Sequence, residues 1–336
     1  MRYEKVVTNG LCTSDAGRSH EALVLYIICL RPFTDIPLKL GMLSPRPRML
    51  LLIICLFLFG FDDQRNLYDQ LQEFPCSRWT IPNYKAERIV HAPVLDGKLD
   101  EDLWQRAKKS TPFKDLIHGT PAHLDTRVAV LWDDQFLYVG YWIEEPNVEA
   151  TLTKRDSPIY ENNDVELFIA GKDAYYEFEI NSFGTIYEVL FFWHDAYQRD
   201  GYAKMPQFDE SQPLAKAFNG VGYKTHPRGK RIGFWNWDFP GLRSAVNVQG
   251  TINNNKDVDR GWTVELALPW SGMEILAKGD GRSLPPKAGD VWKMDFSRFN
   301  TYKDKSAGSN DSGGWAWSPH GVWDSHVPEC FTEVVF

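Results

Sequence analysis

The chain has 336 residues, with 37 lysines and arginines against 45 aspartates and glutamates, for a formal net charge of −8. Hydrophobic residues at 43% and charged residues at 24% exclude a disordered or fibrous chain. The acidic balance argues against a nucleic-acid-binding protein, because neutralising phosphates requires a basic face. Aromatic residues make up 14% and include 13 tryptophans, enough for a sizeable core with rings left over.

Residues 1–61 are predicted to be a leader. An apolar run at 50–61 follows Arg46 and Arg48, and it is shorter than the ~20 residues that span a bilayer. A basic segment before a short apolar run is typical of a secretory signal peptide. The alternative is an uncleaved anchor that holds the protein at a membrane through residues 50–61.

The true start of translation is expected at Met42 or Met49, which would make residues 1–41 a mispredicted extension. In either case we expect the remainder to be exported to the periplasm, the cell surface or the medium. Residues 62–83 are predicted to be a linker, and residues 84–336 a single domain.

The domain is predicted to be mostly β. One short helix begins at Asp100 as its N-cap and places Leu103, Trp104 and Ala107 on one face. Residues 199–247, rich in proline, are predicted to be a long irregular loop. The other segments alternate or are rich in β-branched and aromatic residues, so we expect an antiparallel β-sandwich, immunoglobulin-like or jelly-roll-like, with nine or more strands. The predicted strands are 126–132, 136–143, 164–170, 175–181, 185–193, 245–252, 261–268, 291–299 and 331–336.

Two adjacent predicted strands carry acidic residues at every second position. Asp164 and Glu166 share a face with Phe168, opposite the core residues of that strand, and Glu177, Glu179 and Asn181 repeat the pattern on the next. If the strands pair, the like charges require sugar hydroxyls, Arg155 or a cation. Calcium suits such a patch because it takes 6–8 oxygen ligands. A solvated strand face without a ligand, and catalysis by paired carboxylates, are the alternatives.

The tryptophans divide into two groups. Those within predicted strands, and Trp104 on the helix, are expected in the core. The others lie in turn-rich sequence and are expected to be partly exposed, either as platforms for sugar rings or as plugs at the ends of the sandwich. The first group is Trp104, Trp132, Trp142, Trp262 and Trp292, and the second is Trp235, Trp237, Trp315, Trp317 and Trp323.

The cysteines and histidines give weak signals. Cys76 and Cys330 flank the domain and either pair in an oxidising compartment or remain free thiols. The spacing of cysteine and histidine indicates no zinc site. His320 and His326 bracket Trp323, which leaves a haem or metal role open.

The order of these motifs resembles that of the family 9 carbohydrate-binding modules found attached to xylanases. Each piece is weak, but together they cover residues 84–336 in the family's order. The matching pieces are VLDGKLDEDLWQRA (94–107), VAVLWDDQFLYVGYWIEEP (128–146), NNDVELFIA (162–170), YYEFEINSFGTIYE (175–188), GWTVELALPW (261–270), GDVWKMDFSRFN (289–300) and WAWSPHGVWDSHVPECFTEVVF (315–336).

The resemblance implies a calcium-containing β-sandwich that grips the end of a glucan or xylan chain between two aromatic rings. It places the first ring at Tyr160, six residues before Glu166, and the second at Trp315 or Trp317. It also implies polar contacts from Glu166, Glu179 and Asn181, and we expect Asp164 and Glu177 to bind the calcium. The insertion at 199–247 and the lack of an attached catalytic domain are departures from the family.

The leading hypothesis is therefore an exported, non-catalytic protein that binds plant-type oligosaccharide or polysaccharide during polysaccharide breakdown. A glycoside hydrolase that uses Asp164, Glu166 or Glu179 is the second hypothesis. A haem-binding, cytochrome-like sandwich is the third, and the few suitably placed methionines and histidines argue against it.

Overall fold

A computed structural model of the chain describes residues 73–301 and 311–336, and the predicted leader at 1–61 lies outside them. Within this part the structure is two facing β-sheets, as the strand pattern predicts. The strands are β1 Asn83–Lys85, β2 Glu87–Arg88, β3 Lys114–Asp115, β4 Thr126–Trp132, β5 Phe136–Glu144, β6 Asp164–Ala170, β7 Ala174–Asn181, β8 Ile186–Trp193, β9 Ala215–Phe218, β10 Arg231–Phe234, β11 Arg243–Gln249, β12 Gly261–Pro269, β13 Val291–Phe299, β14 Gly314–Ala316 and β15 Thr332–Val335.

Sheet A has the order β1-β15-β13-β6-β7-β8-β10-β9, with β14 and β3 attached beside β13, and sheet B has the order β11-β12-β5-β4-β2. Most pairs are antiparallel, as predicted. The pairs β1–β15 and β2–β4 differ, because these short edge strands run parallel to their partners. The main core lies between the sheets, where inward-facing residues of β6 such as Val165, Leu167 and Ile169 meet those of sheet B.

Three short helices accompany the sheets: α1 Asp102–Arg106, α2 His194–Arg199 and α3 Glu274–Lys278. Helix α1 is the predicted one, and Trp104 is buried as expected. Its N-cap is Glu101 rather than Asp100, and that residue makes no side-chain capping hydrogen bond. No helix in the described ranges is long and apolar enough to cross a membrane.

The prediction of a structureless loop at 199–247 is wrong. This segment forms β9 and β10, which extend sheet A beyond β8, and the start of β11 in sheet B. The two strands contain only four residues each, too few for alternation to be seen between prolines. Tertiary pairing of β10 with β8, and of β9 with β10, therefore fixes them.

Residues 73–83 are part of the fold, which corrects the predicted linker in its described portion. Phe74 and Cys76 are buried in a small apolar cluster with Val327 and Cys330. Cys76 and Cys330 form a disulfide bond, so the open question about these two cysteines is answered in favour of pairing.

Candidate functional site

Four carboxylates occupy the outer face of sheet A, the face turned away from sheet B. Glu166 of β6 lies directly opposite Glu179 of β7, and Glu177 lies opposite Phe168 in the next row. Asp164 lies opposite Asn181 at the end of the pair. We call Asp164, Glu166, Glu177 and Glu179 the acidic cluster. Strand alternation explains their common face, and the sequence predicts this grouping.

The alternative of a solvated strand face is excluded by burial. The four carboxylate residues are at most 5% exposed, and Phe168 is fully buried. The C-terminal loop at 318–326 packs on part of this face: His326 lies against Glu177, and its ring packs against Phe168 at a centroid distance of 5.1 Å. The same ring lies 4.5 Å from Phe218 of β9. This part of the outer face is thus closed by a loop and a strand distant in sequence.

His326 connects the acidic cluster to a buried arginine. Arg231 Nε donates to the hydroxyl of Tyr175 at 2.9 Å, so that hydroxyl is free to donate to His326 Nδ1 at 3.1 Å. His326 then carries its proton on Nε2, 3.3 Å from Glu177 Oε1. Burial lowers the pKa of His326 to about 3, which agrees with this neutral tautomer.

A second chain of polar groups reaches Glu166. The Ser297 hydroxyl lies 3.0 Å from Glu166 Oε2 and 2.8 Å from Asp295 Oδ2, and Asp295 Oδ1 lies 3.2 Å from His320 Nε2. One hydroxyl proton cannot serve two ionised carboxylates. The Ser297 hydroxyl therefore donates to Glu166 or to Asp295, and only one of the two carboxylates is satisfied by it at a time.

Burial is the main cause of the raised pKa values in the acidic cluster. It raises the pKa of Glu166 to about 8, and the charge of Asp295 adds to this effect while the Ser297 hydrogen bond opposes it. The pKa values of Asp164, Glu177 and Glu179 are also raised, first by burial and then by the neighbouring carboxylates.

Part of the cluster can hold a cation. Carboxylate oxygens of Asp164, Glu166 and Glu179 lie within 4.8 Å of one another. Among the described residues, neither Asp164 oxygen nor Glu179 Oε2 has a hydrogen-bond partner, although all three atoms are buried. Such orphaned oxygens fit a hard cation that takes oxygen ligands. Glu177, predicted as a ligand with Asp164, is instead placed against His326.

Three aromatic side chains border the acidic cluster. Tyr187 is the cross-strand partner of Glu179, and its hydroxyl accepts a hydrogen bond from Trp235 Nε1 at 2.6 Å. Tyr160 packs edge-on against Tyr187 at 5.5 Å and is 48% exposed. We call Tyr160, Tyr187 and Trp235 the aromatic rim. The sequence predicts Tyr160 here, but not Tyr187 or Trp235 as its neighbours.

Trp315 and Trp317 are not exposed, which corrects the prediction that one of them forms a sugar platform. Trp315 belongs to β14 and is fully buried, with the Arg298 guanidinium 4.9 Å from its ring. Trp317 packs edge-on against Tyr84 at 5.3 Å. Both belong to the main core. Their neighbourhood of glycine and serine resembles a loop, but Gly314–Ala316 pair with β13.

The amide of Asn181 is committed to a turn rather than aimed at a ligand. Its Oδ1 accepts from the backbone N–H groups of Phe183 and Thr185, both at 3.0 Å, and its Nδ2 donates to the carbonyl of Leu152. The side chain shapes the β7–β8 connection. Tyr160, Glu166 and Glu179 are the predicted ligand-binding residues that the structure brings together.

The histidines do not favour the haem hypothesis. The Nδ1 atom of His320 lies 2.7 Å from the Asp324 carbonyl, and its Nε2 atom faces Asp295. Both ring nitrogens of His326 are likewise engaged, by Tyr175 and Glu177. An iron ligand would have to give up one of these buried contacts.

The fold and site thus define a β-sandwich with a buried acidic cluster beneath an aromatic rim. Residues 95–198 match the family described as carbohydrate family 9 binding domain-like. This match confirms the resemblance to the family 9 modules in that part of the chain, which contains Tyr160 and the acidic cluster.

The chain is also similar to parts of curated relatives and to solved structures. Endo-1,4-beta-xylanase A of Thermotoga neapolitana is 27% identical over 167 residues, which cover 44% of this chain and 15% of that protein. Endo-1,4-beta-xylanase C of Paenibacillus barcinonensis is 22% identical over 66% of this chain and 16% of its own length. The chain therefore spans about a sixth of these relatives. A family 9 module from Caldicellulosiruptor kristjanssonii in complex with cellotriose is 13% identical, covers 75% of this chain and 92% of its own, and has a TM-score of 0.43.

Proposed function

We propose that this protein is a non-catalytic saccharide-binding module whose ligand contacts the aromatic rim. The observation that carries the proposal is the juxtaposition of the half-exposed Tyr160 ring with a carboxylate, Glu179, whose Oε2 atom has no partner among the described residues. A sugar presents apolar C–H faces and hydroxyl donors, which match a ring and an acceptor respectively. Because Glu179 lies beneath Tyr160, a sugar must first stack on the Tyr160 ring or displace it before its hydroxyls can reach the carboxylate.

The ligand class proposed is a neutral β-linked glucan or xylan fragment. The acidic cluster repels anionic ligands and accepts hydroxyl donors, which supports a neutral sugar. The matched relatives bear the name endo-1,4-beta-xylanase, and the Caldicellulosiruptor module is described with cellotriose. Both lines of support concern other proteins, so cellotriose and xylotriose are the first ligands to test.

Titration calorimetry on ring variants tests this site. Tyr160→Ala and Trp235→Ala should each weaken cellotriose or xylotriose binding by ~30-fold, because losing a ring that covers a ligand costs ~2 kcal/mol or more. Trp323→Ala is the matched control, because Trp323 is an exposed ring outside the rim. Equal affinity in all three variants would remove the rim from the binding site.

Calcium is proposed as the cation of the acidic cluster, held by Asp164, Glu166 and Glu179. It would neutralise buried carboxylates and add stability through preferential binding to the folded state. Excess chelator should lower the melting temperature, and calcium should restore it. Glu179→Gln should abolish that response, whereas Glu161→Gln, which removes an exposed acid beside the rim, should preserve it. A wild-type melting temperature that neither chelator nor calcium changes would refute the proposal of a bound calcium ion.

The glycoside hydrolase hypothesis predicts a different readout. Glu166 and Glu179 are opposed carboxyl groups and the pKa of Glu166 is about 8, as a general acid requires. Both are closed off from solvent, so a glycosidic oxygen would have to displace the covering loop to reach them. Release of reducing sugar from xylan or cellulose that Glu166→Gln abolishes would establish catalysis in place of simple binding.

We further propose that the protein acts outside the cytoplasm. The disulfide between Cys76 and Cys330 supports an oxidising compartment, and the apolar run at 50–61 supports export. N-terminal sequencing of the protein from its natural source tests this proposal. A mature chain that begins near residue 62, or that is found in the membrane fraction, is expected, and cytosolic material beginning at Met1 would contradict it.

A further inference from the structure

One end of the outer face of sheet B is covered by Trp104 of helix α1 and by Leu99, which precedes the helix. Both side chains lie over Gly140 of β5, whose missing side chain makes room for them. At the other end Trp142 stands on the same face of β5, between its cross-strand partners Arg127 and Thr263. Its ring is only partly buried.

A groove of about 460 Å³ lies at this uncovered end, within the size range of small-molecule sites. Trp142, Gln249 and Thr263 are among its walls. Gly261 lies between Glu144 and Gln249 in the neighbouring row. A Cβ atom on Gly261 would stand 1.9 Å from the carbonyl oxygen of Ile143, so only glycine fits, and its lack of a side chain leaves that row open.

Cationic groups exceed the available acids in this groove. Asp125 binds Arg127 Nε with both carboxylate oxygens, at 3.2 and 2.9 Å, while Glu144 accepts the Asp125 backbone N–H at 2.9 Å. Lys109 and Arg260 also line the groove, and no ion pair joins either of them to an acid within the described ranges. Unpaired cations on a protein with a net charge of −8 mark a local site for an anion.

Lys109 is held where an anion could reach it. Its Nζ atom lies 3.9 Å from the centroid of the Trp142 ring. Partial burial lowers the pKa of Lys109, and the charge of Arg127 adds to this effect while that of Asp125 opposes it. A carboxylate between these groups would relieve the repulsion and form charge-assisted hydrogen bonds.

We propose that this groove is a second saccharide site, selective for sugars that carry a carboxylate, such as uronic acid residues. Lys109 and Arg260 bind the carboxylate, Gln249 bonds to hydroxyls, and Trp142 contacts the apolar sugar face. The site lies on sheet B, away from the aromatic rim on sheet A, and does not depend on the function proposed there. An open groove, rather than a closed pocket, can accommodate a sugar residue in the middle of a polysaccharide chain.

Calorimetry with trigalacturonate and with its fully methyl-esterified form tests the site, because the two ligands share a backbone and differ in charge. The wild type should bind the acid at least tenfold more tightly, and its affinity should fall as salt is added, since salt screens exposed charges. Lys109→Gln and Arg260→Gln should each weaken binding by about tenfold, the usual worth of a charge-assisted bond. Lys108→Gln is the matched control, since Lys108 is an exposed neighbour that does not line the groove.

Further variants separate this site from the rim. Trp142→Ala should weaken trigalacturonate binding but not cellotriose binding, and Trp235→Ala should do the reverse. A sulfated trisaccharide that binds as tightly as trigalacturonate would show that the groove selects charge alone and would overturn the assignment to carboxylates. Equal binding of the acid and its ester, or an unchanged affinity in the Lys109 and Arg260 variants with melting temperatures intact, would overturn the site itself.

Discussion

Asp324 joins the C-terminal loop to the inserted segment. Its Oδ2 atom accepts three consecutive backbone N–H groups, at 221–223, with distances of 2.8 to 3.0 Å, and its Oδ1 atom accepts the His326 N–H at 2.9 Å. Burial alone would raise the pKa of Asp324, but the hydrogen bonds from the backbone N–H groups outweigh it, and the pKa is lowered.

Asp324→Asn should therefore destabilise the protein at neutral pH by about 2–3 kcal/mol, because an amide nitrogen cannot accept these hydrogen bonds. A carboxylate with a depressed folded-state pKa stabilises above its unfolded pKa, near 3.9, and loses that effect as the pH falls through the folded value. The difference in melting temperature between wild type and variant should narrow below about pH 4. Calorimetric scans from pH 7 to pH 3 measure this difference in melting temperature. Asp134→Asn, which replaces an exposed acid, is the control. A difference in melting temperature that does not change with pH would contradict the stabilising role of the ionised Asp324 side chain.

Two tryptophans show where sequence patterns fail to predict burial. Trp142 lies in a clear strand, and the sequence predicts it in the core, yet it is partly exposed on the outer face of sheet B, where it packs against Trp104 and Lys109. Trp315 lies among glycines and serines, and the sequence predicts it at the surface, yet it is fully buried. Alternation assigns a residue to a face of a strand, but only tertiary packing decides whether that face is covered.

At the scale of elements, Gly233 of β10 controls the position of the aromatic rim. A Cβ atom at this position would lie 2.6 Å from the ring of Trp235 and 2.7 Å from that of Phe191. Gly233→Ala should displace Trp235 and cost ~1–3 kcal/mol of stability, as overpacking usually does. Saccharide binding should weaken along with stability. Ala217→Gly, a change in the paired strand β9, is a control that alters the same edge without crowding the ring. Full affinity in a folded Gly233→Ala variant would show that Trp235 does not contact the sugar.

Long strands could be predicted and short ones could not. The bounds of β4, β6 and β13 follow from the sequence without error, because seven to nine residues of alternating or apolar character identify a strand. Strands β9, β10 and β14 have three or four residues each. Such segments carry no resolvable period, and they are placed by tertiary pairing: β10 with β8, β9 with β10, and β14 with β13.

At the scale of the whole molecule, the acidic cluster is buried by parts that no local pattern connects. Its residues belong to β6 and β7, while Glu177 is covered by His326 of the loop at 318–326, which in turn packs against Phe218 of β9. The sequence therefore predicts the carboxylates and their shared face, but not their burial. The raised pKa values follow from that burial, and so do the orphaned oxygens that favour a cation.

The disulfide between Cys76 and Cys330 connects two parts of the fold separated by 254 residues. It lies in a small apolar cluster with Phe74 and Val327, separate from the main core. A cross-link over so long a loop constrains the unfolded chain strongly, and removing a native disulfide typically costs ~2–5 kcal/mol.

The double variant Cys76→Ser with Cys330→Ser should therefore melt at a lower temperature than the wild type. Excess reductant should lower the melting temperature of the wild type in the same way. The first effect should be local. Residues 73–82 should exchange their amide hydrogens faster, and trypsin should cleave at the exposed Arg78, which donates to the Ile117 carbonyl in the intact fold. Below the melting transition, the strands of the main core should remain protected, since their packing does not involve this cluster. Uniform loss of protection across both sheets would instead show that the disulfide holds the whole sandwich together.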